Sequence, residues 1–184
     1  MKSPATVLLL STLAWAIASS AEMGWRDKEG RPVPNSPDQK VVNGFGGWVI
    51  VTPDEDWEEK WNTPTENTPA FATADEVVLG KSVTILVFFA SPKVDTKRNI
   101  KVSCDLVVTR PNGSKSIDEK HMDCASGPLR GAAENLRLTN LVVKFVGEPN
   151  DPPGKWVVDV TVRDEVAKVS VPLQTYFTLK GPSG

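Results

Sequence analysis

The chain has 184 residues, which fits a single domain, since typical domains hold about 100–150 residues. Lys and Arg number 21 against 23 Asp and Glu, so the net charge is −2 at pH 7. A mildly acidic chain without a basic run is a poor candidate for binding nucleic acid or an anionic membrane.

The first 21 residues have the three parts of a secretory signal peptide. Lys2 provides the positive charge, residues 7–17 (VLLLSTLAWAI) the apolar segment, and residues 18–21 (ASSA) the small side chains of a cleavage site. An apolar segment of about 11 residues is too short to cross a bilayer, which needs about 20. We therefore predict cleavage after Ala21, no membrane span in the mature chain, and a periplasmic or secreted location.

Residues 22–40 (EMGWRDKEGRPVPNSPDQK) are rich in proline, glycine and charge, which predicts a flexible leader. The folded domain is expected over residues 41–180. It begins with Gly44, Gly46 and Gly47, ahead of a short strand. Because a phosphate-binding glycine loop needs a helix directly behind it, we interpret these glycines as part of a turn or a bulge.

One helix is predicted, at residues 53–61. Thr52 is a capping residue followed by a proline, and Glu55 lies three residues after the cap, so the segment has the pattern of a capping box. Trp57 and Trp61 are four residues apart and share one face of this helix.

From residue 77 onward, the hydrophobic pattern has the period of two that is typical of strands. Residues 83–90 are apolar on both faces, which predicts a central strand. Further strands are expected at 100–110, 115–122, 136–146, 156–162 and 169–179. The 115–122 strand is polar and is expected at an edge, and Pro172 also indicates an edge or a bulge. The predicted core contains Val83, Ile85, Val87, Val102, Leu106, Val158, Val160, Val171 and Phe177.

The chain has two cysteines, Cys104 and Cys124. In an oxidising compartment an isolated pair most simply forms a disulfide, and the alternative is a redox-active or metal-binding pair. Residues 111–114 (PNGS) predict a hairpin between the two cysteines, with positive φ at both central positions. The same segment matches an N-glycosylation pattern, but we favour the turn. Simple register along this hairpin places Cys104 nearer His121 than Cys124, so a bulge or a loop must absorb the offset.

The C-terminal part of the chain carries a family resemblance. Residues 151–156 (DPPGKW) lead into WVVDVTVRDE, a short turn and VSVPLQTYFTL. This run resembles the last hairpin of bacterial extracytoplasmic immunoglobulin-like domains, where an aspartate-proline-x-glycine-x-aromatic motif precedes a V-x-V-x-D strand. The RPNGS segment resembles their proline-aspartate-glycine hairpin, and Trp156 stands where a tyrosine usually braces the corner. The resemblance covers roughly residues 77–180 and implies an all-β fold, an immunoglobulin-like antiparallel β-sandwich.

Few residues are available for catalysis. His121 is the single histidine, and it lies in a charged strand beside a cysteine that we expect to be bridged, so we interpret it as a surface residue. The acidic run at residues 54–59 is predicted to be helical, whereas calcium prefers alternating ligands in a flexible loop. We therefore expect no enzyme activity, no metal and no cofactor.

The sequence favours a non-enzymatic, exported protein-binding module, such as an immunity or partner protein for a secreted or envelope protein. The predicted partner-binding residues are Asp54, Glu55, Trp57, Glu58 and Trp61, because aromatic residues are enriched at binding hot spots and charges accelerate approach. The expected partner is a protein of the cell envelope. The alternative is a module that binds carbohydrate or another cell-envelope ligand through exposed tryptophans. Packing of the two helical tryptophans onto the sandwich is the structural alternative to a binding role.

Overall fold

The computed structural model describes residues 24–26, 29–63 and 70–181. The predicted signal peptide and its cleavage site lie outside the described residues. Strands dominate, and the one helix of the described part is short. The elements are β1 (Gln39–Val42), β2 (Phe45–Thr52), α1 (Trp57–Trp61), β3 (Glu76–Val78), β4 (Ser82–Ala90), β5 (Asn99–Thr109), β6 (Lys115–Pro128), β7 (Arg137–Val146), β8 (Gly154–Asp164) and β9 (Val169–Lys180).

The strands form two sheets, and the predicted all-β sandwich is confirmed. The four-stranded sheet has the order β1-β2-β4-β7, and the five-stranded sheet has the order β3-β9-β8-β5-β6. All neighbouring strands are antiparallel except β3 and β9, which are parallel. The finer assignment to the immunoglobulin-like class stays a prediction.

The main core lies between the sheets. Alternate residues of the strands supply it, because successive side chains of a strand point to opposite faces. Every residue of the predicted core is buried, with no more than 3% of its surface exposed. Trp156, at the start of β8, is fully buried in this core, and its Nε1 donates a hydrogen bond to the Pro152 carbonyl at 3.1 Å. The indole therefore ties the start of β8 to the preceding loop.

The prediction of a central strand at residues 83–90 is confirmed by β4, which is buried on both faces. One face contributes to the main core. The other face contributes Leu86 and Phe88, which form a second apolar cluster with Ile50 on the outside of the four-stranded sheet. Helix α1 packs over this second cluster.

The hairpin between β5 and β6 departs from the predicted turn type. Gly113 alone has positive φ, at 83°, and its N–H donates to the Arg110 carbonyl at 2.9 Å. The loop is therefore a type I turn followed by a left-handed glycine, because the proline at the first central position fixes φ near −65° and excludes positive φ.

The predicted disulfide between Cys104 and Cys124 is confirmed, and so is the bulge it requires. Asp105 stands opposite both Lys120 and His121, and Cys124 is itself an extra residue between the pairs Ser103–Asp123 and Val102–Ala125. Each bulge advances β6 by one residue relative to β5. The prediction that β6 lies at an edge is also confirmed.

The leader differs from the prediction, because its described residues lie against the sandwich. Trp25 packs on Gly46, where an added side chain would meet the indole at 2.9 Å. Lys40 Nζ donates to the Pro172 carbonyl at 2.9 Å, and the Gln174 N–H donates to the Pro37 carbonyl at 2.8 Å. These bonds reach the outer side of β9, so Pro172 lies at a strand edge as predicted.

The helix also differs from the prediction, because α1 begins at Trp57. Thr52 is the last residue of β2 and pairs with Thr84, so its backbone stays in the sheet. The Thr52 hydroxyl does accept a hydrogen bond from the Asp54 N–H at 3.1 Å, but no side chain caps the helix at Asp56. Residues 53–56 instead form the turn by which the chain leaves β2 and crosses the outside of the sheet.

Candidate functional site

An aromatic cluster lies under helix α1. The buried ring of Phe88 on β4 is its centre, and the ring centroids of Trp48, Trp61 and Phe71 lie 5.2, 5.3 and 5.8 Å from it. Trp57 packs against the same cluster. The rings around Phe88 are half-buried, so they hold the helix on the sheet and still reach the surface.

Asp54 ties the two ends of the helical segment together. Its carboxylate accepts the Ala72 N–H at 2.9 Å and pairs with Lys60 at 2.9 Å, and its side chain is 11% exposed. Burial raises the pKa of Asp54, but the hydrogen bonds from Lys60 and from the Ala72 N–H outweigh this effect and leave the pKa below its usual value. Asp54 therefore has a structural role, and its predicted contact with a partner stays a prediction.

The remaining carboxylates of the helical segment fall into two groups. Asp56 pairs with Lys60 at 3.1 Å. Glu55, Glu58 and Glu59 are exposed, and within residues 24–26, 29–63 and 70–181 none of them has a counter-ion. We call these three glutamates, together with the half-buried Trp57 and Trp61, the helix surface.

A shallow depression borders the helix surface. Its volume is about 330 Å³, and Pro53, Glu55 and Trp57 line one side. Thr84 on β4 and Lys144 on β7 line the other side. The depression therefore gives the helix surface a recess with charges of both signs at its rim.

All five predicted partner-binding residues lie in α1 or in the turn before it. The structure also places beside them residues that the sequence analysis did not identify. Trp48 could have been found from the period of two in β2, which places it on the same face as Ile50. Phe71 and Lys144 had no local signal, because they approach the helix through tertiary contacts. The predicted role of the five residues in binding a partner is not tested by this arrangement.

His121 lies on the opposite sheet, away from the helix surface. It is exposed, with φ of 51°, and its N–H donates to Asp105 Oδ1 at 2.9 Å. Asp105 also forms a two-pronged pair with Arg163, at 2.8 and 2.6 Å. The hydrogen bond from Arg163 is the main reason that the pKa of Asp105 falls to about 2.

Metal-ligand clusters and membrane-spanning helices are both absent from the described residues. No group of three or more His, Cys, Asp or Glu side chains in this part of the chain is arranged to hold a metal ion. None of the helices in the same part combines the length and the apolar character that crossing a bilayer requires.

No family model and no curated protein matches the chain. Similar solved structures include a family 123 glycoside hydrolase from Clostridium perfringens, an alkylpurine DNA glycosylase from Pseudomonas fluorescens bound to DNA, and a CARDB domain from Pyrococcus furiosus in complex with di-metal ions. Their sequence identities to this chain are 8%, 15% and 11%, and their TM-scores are 0.40, 0.37 and 0.38.

The matches cover 73%, 58% and 80% of this chain. The chain spans only 27% and 28% of the length of the glycoside hydrolase and the DNA glycosylase, and 100% of the CARDB domain. At such low TM-scores these likenesses carry no argument about function.

Proposed function

We propose that the protein is a non-enzymatic, exported binding module whose helix surface recognises a protein of the cell envelope. The proposal rests on one observation. Three exposed glutamates have no counter-ion in the described part of the chain, and half-buried tryptophans lie directly beside them. Aromatic side chains contribute most of the affinity at protein interfaces, and unpaired charges increase the rate of encounter. The partner surface is accordingly basic with an apolar centre. In its most specific form, the proposal is that the protein acts through this contact as an immunity protein or an inhibitor of its partner.

The arrangement of the rings favours a protein over a carbohydrate. A sugar stacks best on a fully exposed aromatic ring, whereas Trp48 and Trp61 are half-buried and each lies within 5.3 Å of Phe88. A protein partner can instead contact the exposed part of these side chains together with the charges around them.

The test compares two charge-reversal variants of the full mature protein. Glu55→Lys with Glu58→Lys reverses the helix surface and leaves the Asp54–Lys60 pair in place. Asp75→Lys with Glu119→Lys makes the same change of net charge at two exposed carboxylates elsewhere. Each protein and the wild type are immobilised and exposed to the envelope fraction of the source cells, and bound proteins are quantified by mass spectrometry.

We expect a protein that wild type and the Asp75/Glu119 variant retain and that the Glu55/Glu58 variant loses, with retention weakening as salt rises. Equal retention by all three proteins would remove the helix surface from the interface. Retention of polysaccharide in place of protein would favour the carbohydrate alternative.

A further inference from the structure

The four outer edges of the two sheets are not protected equally. An unprotected edge strand presents a row of unpaired N–H and C=O groups, so proteins commonly seal such edges with charges, bulges, prolines or covering segments. Each edge carries at least one such device, and on β7 these are a bulge at residues 139–141 and the charge of Lys144, which leave the strand uncovered from Val142 to Val146.

The short edge strand β1 is sealed by a side chain. The Asn35 amide donates to the Val41 carbonyl at 3.2 Å and accepts the Val41 N–H at 2.9 Å, so it satisfies the outward backbone groups of that residue. Strand β6 is protected differently, by three bulges and by charges of both signs between Lys115 and Asp123.

The edge at β3 and β9 is covered by the leader. Strand β3 has three residues and pairs with the end of β9, at Thr178–Lys180. Beyond β3, the outward groups of β9 bond to Pro37 and Lys40, and Pro172 has no N–H to leave unpaired.

Strand β7 has β4 as its neighbour on one side, and no strand of the described part lies on its other side. The Gly147 N–H donates to the Lys81 carbonyl, on the β4 side. Because the backbone groups of an antiparallel strand alternate in direction, those of Val146, Lys144 and Val142 point away from β4. No backbone or side-chain group of the described residues bonds to them. We call this side of the strand the β7 edge.

The side chains of the β7 edge are unusual for a surface. Val142 is 36% exposed and Val146 is 44% exposed, which makes them two of the four most exposed large apolar side chains in the described part of the chain. They flank the exposed Lys144 on the outer face of the sheet. The edge is therefore apolar, with one positive charge at its centre.

A cavity of about 370 Å³ lies beside the β7 edge, in the seam between β7 and β6. Val108, Ile117, Val143 and Phe145 supply an apolar part of its lining, and Arg110, Glu148 and Asp151 supply a charged part. A strand added to β7 would direct every second side chain toward this seam, because the side chains of a strand alternate between its faces.

We propose that the β7 edge binds an extended segment of a partner protein, which adds to the four-stranded sheet as a fifth strand. Its inward side chains are apolar and enter the seam cavity, and an acidic side chain stands opposite Lys144, where cross-strand charge pairs are favourable. Main-chain hydrogen bonds to Val142, Lys144 and Val146 supply the affinity. Lys144 also lines the depression beside the helix surface, but the main-chain hydrogen bonds proposed here involve no residue of the helix.

The probe is a short synthetic peptide in which valine alternates with threonine around one central glutamate. Its binding to the full mature protein is measured by isothermal titration calorimetry. A scrambled peptide of the same composition lacks the alternation and is the control ligand. We expect the alternating peptide to bind and the scrambled peptide to bind at least about fivefold more weakly.

Two substitutions at position 144 separate the contribution of the backbone N–H from that of the side-chain charge. Lys144→Thr removes the charge but keeps the N–H, whereas Lys144→Pro also removes the outward N–H, which an edge strand tolerates. We expect Lys144→Pro to bind about fivefold or more weakly than Lys144→Thr, because one hydrogen bond is lost and the ring obstructs the added strand. If Lys144→Pro does not fold, Val146→Pro makes the same test at the next outward residue.

Equal binding of the peptide by Lys144→Pro and Lys144→Thr would overturn the proposal, and so would a failure of wild type to prefer the alternating peptide. Analytical ultracentrifugation tests whether a second copy of the chain occupies the β7 edge. A wild-type dimer that Lys144→Pro abolishes would show that the β7 edge pairs with a second copy of the chain, which would also overturn the proposal of a partner segment.

Discussion

Asp105 has more influence on the fold than its position on a sheet surface suggests. Its carboxylate accepts two hydrogen bonds from Arg163 and one from the His121 N–H. His121 has a left-handed backbone, which is costly for a residue with a side chain. The bond from His121 to Asp105 holds the bulge at Lys120 and His121 in place, and this bulge is one of the three register shifts between β5 and β6.

The pKa of Asp105 predicts an acid-dependent loss of stability. Because the folded pKa is about 2 and the unfolded pKa is near 3.9, the pair stabilises the protein fully above about pH 5, and this contribution is lost as pH falls toward 2. We expect Asp105→Asn to lower the free energy of unfolding by about 1–2 kcal/mol at pH 7.

Urea denaturation of wild type and Asp105→Asn between pH 7 and pH 2 measures this effect. The difference between the two proteins should shrink as pH falls below 4. Glu119→Gln, an exposed change on the same hairpin, is the control and should stay close to wild type throughout. A difference that does not change with pH would contradict the assignment of the effect to the Asp105 charge.

At the scale of elements, the β5–β6 hairpin is held by covalent and non-covalent links together. The disulfide closes a loop with a sequence separation of 20 residues, and both cysteines are buried in the main core. Strand β6 has β5 as its strand partner and is otherwise largely exposed. The disulfide therefore connects the most solvated strand of the sandwich to the core.

Removal of the disulfide should destabilise the protein substantially. A loop of this size contributes about 3 kcal/mol in the chain-entropy model, so we expect Cys104→Ala with Cys124→Ala to lose about 2–4 kcal/mol. Urea denaturation followed by circular dichroism measures the loss. Hydrogen exchange should increase first in β6, and uniform exchange across both sheets would contradict this account.

The strands and the helix also show what the sequence could and could not predict. Strands β4 to β9 followed from the period of two, and counting residues along the hairpin predicted that an offset between the two cysteines had to be absorbed. The start of the helix did not follow, because pairing of Thr52 with Thr84 overrides the local capping signal. The contacts of Trp25 with Gly46 and of Lys40 with Pro172 had no local signal either. Each contact joins two segments that are far apart in the sequence.

For the candidate site, composition identified the five residues of the helical segment but not their division of roles. Asp54 and Glu58 have the same charge in the sequence. The structure gives Asp54 two internal partners and leaves Glu58 exposed, because the crossing chain brings Lys60 and Ala72 to one carboxylate alone. The β7 edge was not predictable, since an edge strand is defined by the order of strands in a sheet.

At the scale of the whole molecule, stability depends on the contact between the two sheets. Ile85 lies on β4, near the middle of the four-stranded sheet, and is 2% exposed in the main core. We expect Ile85→Ala to lower the free energy of unfolding by about 2–5 kcal/mol, because it removes buried methyl groups and leaves a cavity.

Chemical denaturation of Ile85→Ala against wild type checks this value. Lys101→Ala, at an exposed position of β5, is the matched control and should change stability by less than about 0.5 kcal/mol. A similarly small change for Ile85→Ala would mean that the sheets do not pack through this residue.

The tryptophans lie in two separate environments, so their optical signals can report on the core and on the outer cluster separately. Trp156 is fully buried between the sheets, whereas Trp48, Trp57 and Trp61 surround Phe88 on the outside. Near-ultraviolet dichroism and fluorescence of Trp25→Phe, with and without Trp156→Phe, would therefore separate melting of the interior from release of the helix. If the two signals change at the same denaturant concentration, the helix and the sandwich unfold as one cooperative unit. If the outer signal changes first, the helix opens as a local unit while the sandwich stays folded.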